Sequence, residues 1–398
     1  MIELSGLRRY ALSDATVRLE ADIKFTDLDA TCPAETMYFE IDREFGGMFV
    51  DDTYDPFVLT SLYLAMNYKT DLRIHGNISK KFYKNLKWYI QKILCDFNKK
   101  LSPVDIIADG FSPTEAGGFL TGTGISCGVD SLSTIYDRFV KEDDPDYKIN
   151  ALFMFNCGSH GDFGKEETQE VFISRIMRSN ALAEELGLLL IVVDSNLHQF
   201  RLEEDKDTVL FLSFYSCVLS MQNGIRRYYI PGACSYKGIK EFGDNDKHHA
   251  DLAVACDSFL IPLIQTERTE LIIDGCQYRR VDKIKNIADW DIAQRYLNVC
   301  LMQKGADSTN CGACAKCMRT LLTLEILGKL DNFAQIFNLA QWNNNSFHYK
   351  AATMDNADKE IFFHENVELA AENNFPMPVQ QSCYTLDKQV VIFDDEQK

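Results

Sequence analysis

A chain of 398 residues has room for two or three domains and an ample core. Its 59 acidic and 41 basic residues leave a net charge of -18. That charge argues against broad contact with a phosphate backbone or an anionic membrane, so neither nucleic acid nor a membrane is expected as main partner. No apolar run approaches the ~20 residues of a membrane span, and the start MIELSGLRRYALSD shows no secretory h-region. Thirteen scattered cysteines, an odd number, read as a reduced, cytoplasmic chain with a metal site instead of a disulfide framework.

Residues 1 to 110 read as a separate α+β domain. Val17, Leu19, Ala21, Ile23 and Phe25 alternate with Arg18, Glu20, Asp22 and Lys24, the period of a half-buried strand, and Met37, Phe39 and Ile41 repeat it. Pro56 to Met66 reads as a buried helix. Ser79 to Phe97 reads as a second, with Phe82, Leu86, Trp88, Tyr89 and Ile93 turned inward. His75, beside Gly76, reads as a turn residue. Nothing here carries recognisable chemistry, so the domain is expected to serve packing or homodimer formation, or to shape a substrate pocket. Residues 103 to 117 read as a strand and then a linker.

From 118 the pattern changes. A strand (Gly118 to Ile125) runs into Ser126-Cys127-Gly128-Val129-Asp130-Ser131, and a helix (Asp130 to Val140) runs out. Small residues let backbone N–H groups close around a phosphate. Asp130 is then placed to hold a metal ion and Ser131 to donate a hydroxyl. A plain strand–turn–helix corner with Asp130 as N-cap reads equally well on the loop alone. No G-x-x-x-x-G-K-[ST] occurs, and Gly122, Gly124 and Gly128 are spaced one residue too widely for the dinucleotide fingerprint.

Asn150 to Phe155 is a continuous apolar strand of the buried parallel kind, leading into the loop 156 to 161. Lys165 to Leu186 is an amphipathic helix with Gly187 as C-cap. Leu188 to Val193, Thr208 to Met221 and Arg227 to Ile230 continue the strand–helix–strand alternation. The pattern indicates a doubly wound parallel α/β sheet over residues 111 to 330, with the loops at one carboxyl edge. Residues 234 to 260 read either as a flap over that edge or as a solvated loop. Thr269 to Gly275 returns to strand. Arg279, Arg280, Lys283 and Lys285 then form a basic patch that fits a phosphate-bearing ligand.

Cys300, Cys311, Cys314 and Cys317 form C-x10-C-x2-C-x2-C. Thiolate quartets with this close spacing suit tetrahedral Zn2+; an iron–sulfur cluster is the rival. A helix is expected from Met318 to Leu327, and Arg319 is either aimed at phosphate or a surface residue. In the C-terminal extension, 331 to 398, Phe333 to Trp342 reads as helix, Asn343 to Asn345 as a turn, Gln389 to Phe393 as a last strand and Asp394 to Lys398 as a disordered tail.

The loop resembles the pyrophosphate loop of the ATP pyrophosphatases, S-G-G-x-D-S, with Cys127 replacing the first glycine. Together, Ser126, Gly128, Asp130, Ser131, Cys300, Cys311, Cys314, Cys317 and Arg319 resemble the combined pattern of the 7-cyano-7-deazaguanine synthases, of the adenine nucleotide α-hydrolase superfamily. The resemblance spans residues 118 to 327. It implies about five parallel strands, ATP at the loop (Ser126 to Ser131, with Arg319), Mg2+ on the phosphates, and Zn2+ on the cysteines. It further implies adenylation of a small-molecule carboxylate and capture of ammonia, with Asp130 and Ser131 catalytic. The N-terminal domain, Cys127 and the segment 156 to 164 depart from that family and look closer to larger relatives in biosynthetic and anti-phage defence clusters. They leave two other expectations: a nucleotide-binding component without turnover, and sulfur transfer through Cys127, Cys157 or Cys234.

Overall fold

The computed structural model describes residues 1–113, 117–158, 166–202, 206–242, 256–300 and 309–378, with two short strands beyond. One ten-stranded sheet runs through the molecule. Its strands are β1 (Ile2–Ala11), β2 (Thr16–Phe25), β3 (Thr36–Asp42), β4 (Leu72–Ile78), β5 (Ile106–Phe111), β6 (Leu120–Gly124), β7 (Ala151–Asn156), β8 (Leu189–Ser195), β9 (Ile225–Pro231) and β10 (Glu270–Asp274), in the order β10-β9-β6-β7-β8-β3-β2-β1-β4-β5.

The five strands β6 to β10 are mutually parallel. They are joined through α4 (Val129–Ile135), α5 (Glu166–Leu186), α6 (Lys206–Ser220) and α7 (Tyr236–Phe242), which follow α1 (Asp55–Tyr68), α2 (Lys80–Asn85) and α3 (Gln91–Phe97). Successive residues of a strand feed opposite faces. Leu152 and Tyr229 join one core with Leu132 of α4 and Leu182 of α5. Phe153 and Tyr228 join the other with Leu212 and Val218 of α6 and Phe57 and Leu62 of α1. Helices on both faces of a parallel sheet make a doubly wound unit, as the alternation of short apolar strands and helices predicts.

The first 110 residues are α+β but do not form a sheet of their own. β3 pairs antiparallel with β8, Ile41 opposite Val193. Asn196 locks the joint: its Oδ1 accepts from Tyr38 N and its Nδ2 donates to Thr36 O, each at 2.8 Å. Asp55, fully buried at the start of α1, accepts from Ser79 N and from Gln222 Nε2. The N-terminal strands therefore share both sheet and core with the α/β part.

Local expectations change in four places. Trp88 and Tyr89 face solvent, because a π-helical turn, Leu86–Ile90, widens the run there. His75 lies in β4, its Nε2 3.0 Å from Glu3. Residues 333 to 342 are not one helix: a 3-10 turn, Leu330–Phe333, precedes α11 (Leu339–Asp355). That helix runs straight through Asn343 to Asn345, since burial of Trp342 and Tyr349 outweighs asparagine's poor propensity. The strand near the end is Val391–Phe393, paired with Tyr384–Leu386. The tail 394 to 398, residues 243 to 255 of the flap and residues 159 to 164 lie outside the described residues.

Candidate active site and metal centre

In chain order the five parallel strands lie 5-4-1-2-3, so the winding reverses between β6 and β9. Doubly wound sheets open a crevice at the carboxyl ends of two such strands. Here a cleft of about 560 Å³ opens there, within the usual range for small-molecule sites. The predicted loop forms its floor. Ser126, Gly128, Val129, Asp130 and Ser131 all line it. The two hydroxyls brace the turn: Ser126 Oγ lies 3.2 Å from Ser131 Oγ and accepts from Gly128 N at 3.2 Å, while Ser131 Oγ donates to Gly128 O at 3.1 Å.

Cys127 holds φ +56°, the left-handed region where a glycine costs nothing and an L side chain costs roughly 1–2 kcal/mol. The loop thus keeps a glycine-like backbone without the glycine. The thiol turns into the core beside Val129 and Leu132, and burial raises its pKa to about 11.

Two residues of the basic patch, Arg280 and Lys283, face this floor. α8 (Arg280–Ile287) and α9 (Asp291–Tyr296) follow β10, and α10 (Ala315–Ile326) follows the cysteines. Arg280 Nη2 meets Asp130 Oδ2 at 2.7 Å, and Lys283 Nζ meets Oδ1 at 3.1 Å. Burial alone would raise the Asp130 carboxyl, but the charges of Arg280 and Lys283 outweigh it and lower the pKa. Lys283 also donates to Gly232 O at the end of β9, so it bridges both sides of the crevice. Arg279 is turned away, paired with Asp282, Glu368 and Glu372.

Arg319 and Lys316, from α10, also line the cleft. Burial and the neighbouring Arg280 charge lower the Arg319 guanidinium to about 10. α12 (Ile361–Glu372) packs against the two arginines from outside the cleft lining. The guanidinium carbons of Arg319 and Arg280 lie 4.1 and 5.1 Å from the Phe362 ring centroid, and Glu365 accepts from Arg280 N at 2.8 Å. Phe155, Phe214 and Tyr228 add aromatic surface to the cleft.

The four predicted metal-site cysteines converge. Their sulfurs all lie within 4.8 Å of one another, Cys311 to Cys317 at 3.9 Å. Tetrahedral zinc with Zn–S near ~2.3 Å needs sulfur–sulfur edges of about 3.8 Å, so the quartet can hold a metal ion such as zinc. Cys314 N and Ala313 N donate to Cys311 Sγ at 3.2 and 3.4 Å. Gly312 turns between them at φ +75°, where a Cβ would sit 2.2 Å from Asn338 O.

The intervening segment 301 to 308 lies outside the described residues, but its closing staple does not. Asn310 Oδ1 accepts from Val299 N and Cys300 N, and its Nδ2 donates to Leu297 O and Ile336 O. The first cysteine is thereby carried back to the other three.

Of the residues expected at the site, Ser126, Gly128, Val129, Asp130, Ser131 and Arg319 line the cleft and the four cysteines converge, whereas the Cys127 side chain turns into the core. Missed were the pairing of Asp130 with Arg280 and Lys283, the Asn310 staple, Lys316 in the lining, and the contacts of Phe362 and Glu365 with the arginines. Of these only the 279–285 patch left a trace in the sequence. None of the twelve cysteines among the described residues is in a disulfide, and no described helix is long and apolar enough to cross a membrane. No family model matches the chain, and neither a curated protein nor a solved structure does.

Proposed function

We propose that this chain is an ATP-dependent adenylating enzyme that activates a small-molecule carboxylate, releasing pyrophosphate and then AMP. The observation that carries the reading is the Ser126–Ser131 loop at the reversal of a five-stranded parallel sheet, with Arg280, Lys283 and Arg319 gathered over it. Few ligands need both a tight hydroxyl-braced turn and three cations; a polyphosphate does.

In this reading an acceptor carboxylate oxygen attacks the α-phosphorus of ATP. The bond to the bridging oxygen breaks, and pyrophosphate leaves with the electron pair. Ammonia then displaces AMP at the acyl carbon, giving an amide and a proton. Such transfers depend on positioning and on neutralising the leaving group. Ser126, Gly128 and Ser131 serve the first need; Arg280, Lys283 and Arg319 serve the second. Mg2+ when bound supplies further neutralisation of the phosphates, and Asp130, an ionised carboxylate in the loop, suits it as ligand. Zn2+ on four thiolates is structural, with no open position.

Sulfur transfer finds less support. The thiols of Cys127, Cys157 and Cys234 are all buried, and Cys276, which lines the cleft, has its pKa raised to about 11 by burial, a poor thiolate.

The test is incubation with labelled ATP, Mg2+, ammonium and a carboxylated deazapurine first, then carboxylate pools, following AMP and pyrophosphate. Equal release of both, abolished in Asp130→Ala with the fold intact, is expected. Full activity in that variant overturns the assignment. ATP binding by calorimetry without AMP from any pool assigns a nucleotide-binding component instead, and no binding at all removes both readings.

A further inference from the structure

The helical run from Lys80 to Phe97 buries Phe82, Leu86, Ile90 and Leu94 against the core. Its solvent side is strongly basic. Residues 80–100 hold seven lysines and one acid, Asp96, a local balance of +6 in a chain of -18, so the remainder carries -24. Asp96 answers Lys92 and Lys99 at 2.6 and 3.7 Å, whereas Lys84 and Lys87 have no ion pair among the described residues. Midway lies the π-helical turn Leu86–Ile90, a distortion frequent at functional sites. It puts the adjacent Trp88 and Tyr89 both into solvent, at 63% and 54% exposure. Lys87 Nζ lies 5.9 Å from the Trp88 ring centroid, and Lys80 Nζ 5.9 Å from that of Phe111, exposed on the edge strand β5.

We propose that this face binds single-stranded nucleic acid, with phosphates on the lysines and bases stacked on Trp88 and Tyr89. Aromatic platforms interleaved with cations are how sequence-tolerant single-strand sites are built, and every base offers a ring face. Two other polyanions fit less well. A protein partner accounts for the aromatics but not the lysines, which protein interfaces deplete. An anionic bilayer is flat and would bring the surrounding acidic surface within the ~8 Å screening length, and the helix's apolar face is already spent on the core. A flexible strand can touch the patch alone. The whole-chain charge conceals this, because it averages the basic face into its acidic surroundings.

The test is fluorescence anisotropy of a labelled mixed-sequence oligonucleotide of about 16 nucleotides, with the full chain, across a salt series. Binding should weaken with salt. Lys84→Glu with Lys87→Glu should lower affinity at least tenfold and flatten the log–log salt slope by about 1.4, from two lost phosphate contacts. Trp88→Ala with Tyr89→Ala should cost about tenfold or more at unchanged slope. All four side chains are exposed, so melting temperatures should hold. No binding at low salt, or binding indifferent to both double variants, overturns the proposal. So does tighter binding to phosphatidylcholine–phosphatidylserine vesicles, or a self-association that the lysine variants abolish while no oligonucleotide binds.

Discussion

The backbone N–H of Asn298 donates to the Cys127 carbonyl at 2.7 Å. Two residues further on, Cys300 enters the metal quartet. The floor of the cleft is thereby tied to the cysteine quartet, with Asn310 stapling the second half. Metal removal should then be felt at the cleft. Chelation is expected to lower the melting temperature and, secondarily, ATP affinity, because site closure contributes folding free energy. Exchange for Co2+ or Cd2+ should leave activity in place, as four thiolates leave no position for substrate. Iron by elemental analysis, or a chelated protein that keeps both its melting temperature and ATP binding, contradicts this.

Cys127 offers a second test. Cys127→Gly relieves a left-handed side chain but loses a buried thiol and adds unfolded-state entropy. These opposing terms are each about 1 kcal/mol, so stability should change little and the loop should still function. Cys127→Val puts a β-branched residue at φ +56° and should cost more than about 2 kcal/mol. Denaturant melts of the pair check the contrast; equal stability of the two variants argues that the loop backbone is not held at that angle.

The succession of strands and helices along the chain, the loop and the quartet were legible because each is written in local spacing. The pairing of Ile41 with Val193 was not, since register between strands 150 residues apart leaves no local mark. Nor was the pairing of Asp130 with Arg280, likewise 150 residues apart. Trp88 and Tyr89 misled for a different reason: a 3.6-residue period assumes an α-helix, and the π-turn breaks that period where they sit. The asparagines of α11 show burial overriding propensity.

Glu365 makes a prediction about pH. It is buried, only one oxygen has a partner, and burial raises its pKa to about 7. A carboxyl that holds its proton more tightly when folded stabilises the protein fully below its unfolded pKa of ~4.3. That contribution is lost as pH rises through about 7. Glu365→Gln keeps an acceptor for Arg280 N and removes the titration. It should melt higher than the parent at pH 8, with the advantage gone near pH 4. A constant offset between the two across that range rules out this account.

Phe362 carries the last prediction. Both Arg280 and Arg319 are laid against its ring, which comes from the C-terminal helix, beyond the stretch that holds the loop and cysteines. Each cation–ring contact is worth about 0.5–1 kcal/mol, more where water is excluded. Losing both should weaken ATP binding by about 5–30-fold. The half-buried ring also packs, so Phe362→Ala alone would confound positioning with stability. Phe362→Leu separates them, since it retains most of the apolar volume but not the ring's negative face. Phe362→Tyr retains both. ATP affinity by calorimetry should rank Phe362→Tyr near the parent, with Phe362→Leu and Phe362→Ala both well below. If the leucine variant binds ATP as the parent does, the ring only fills space and the two guanidinia are held by other means.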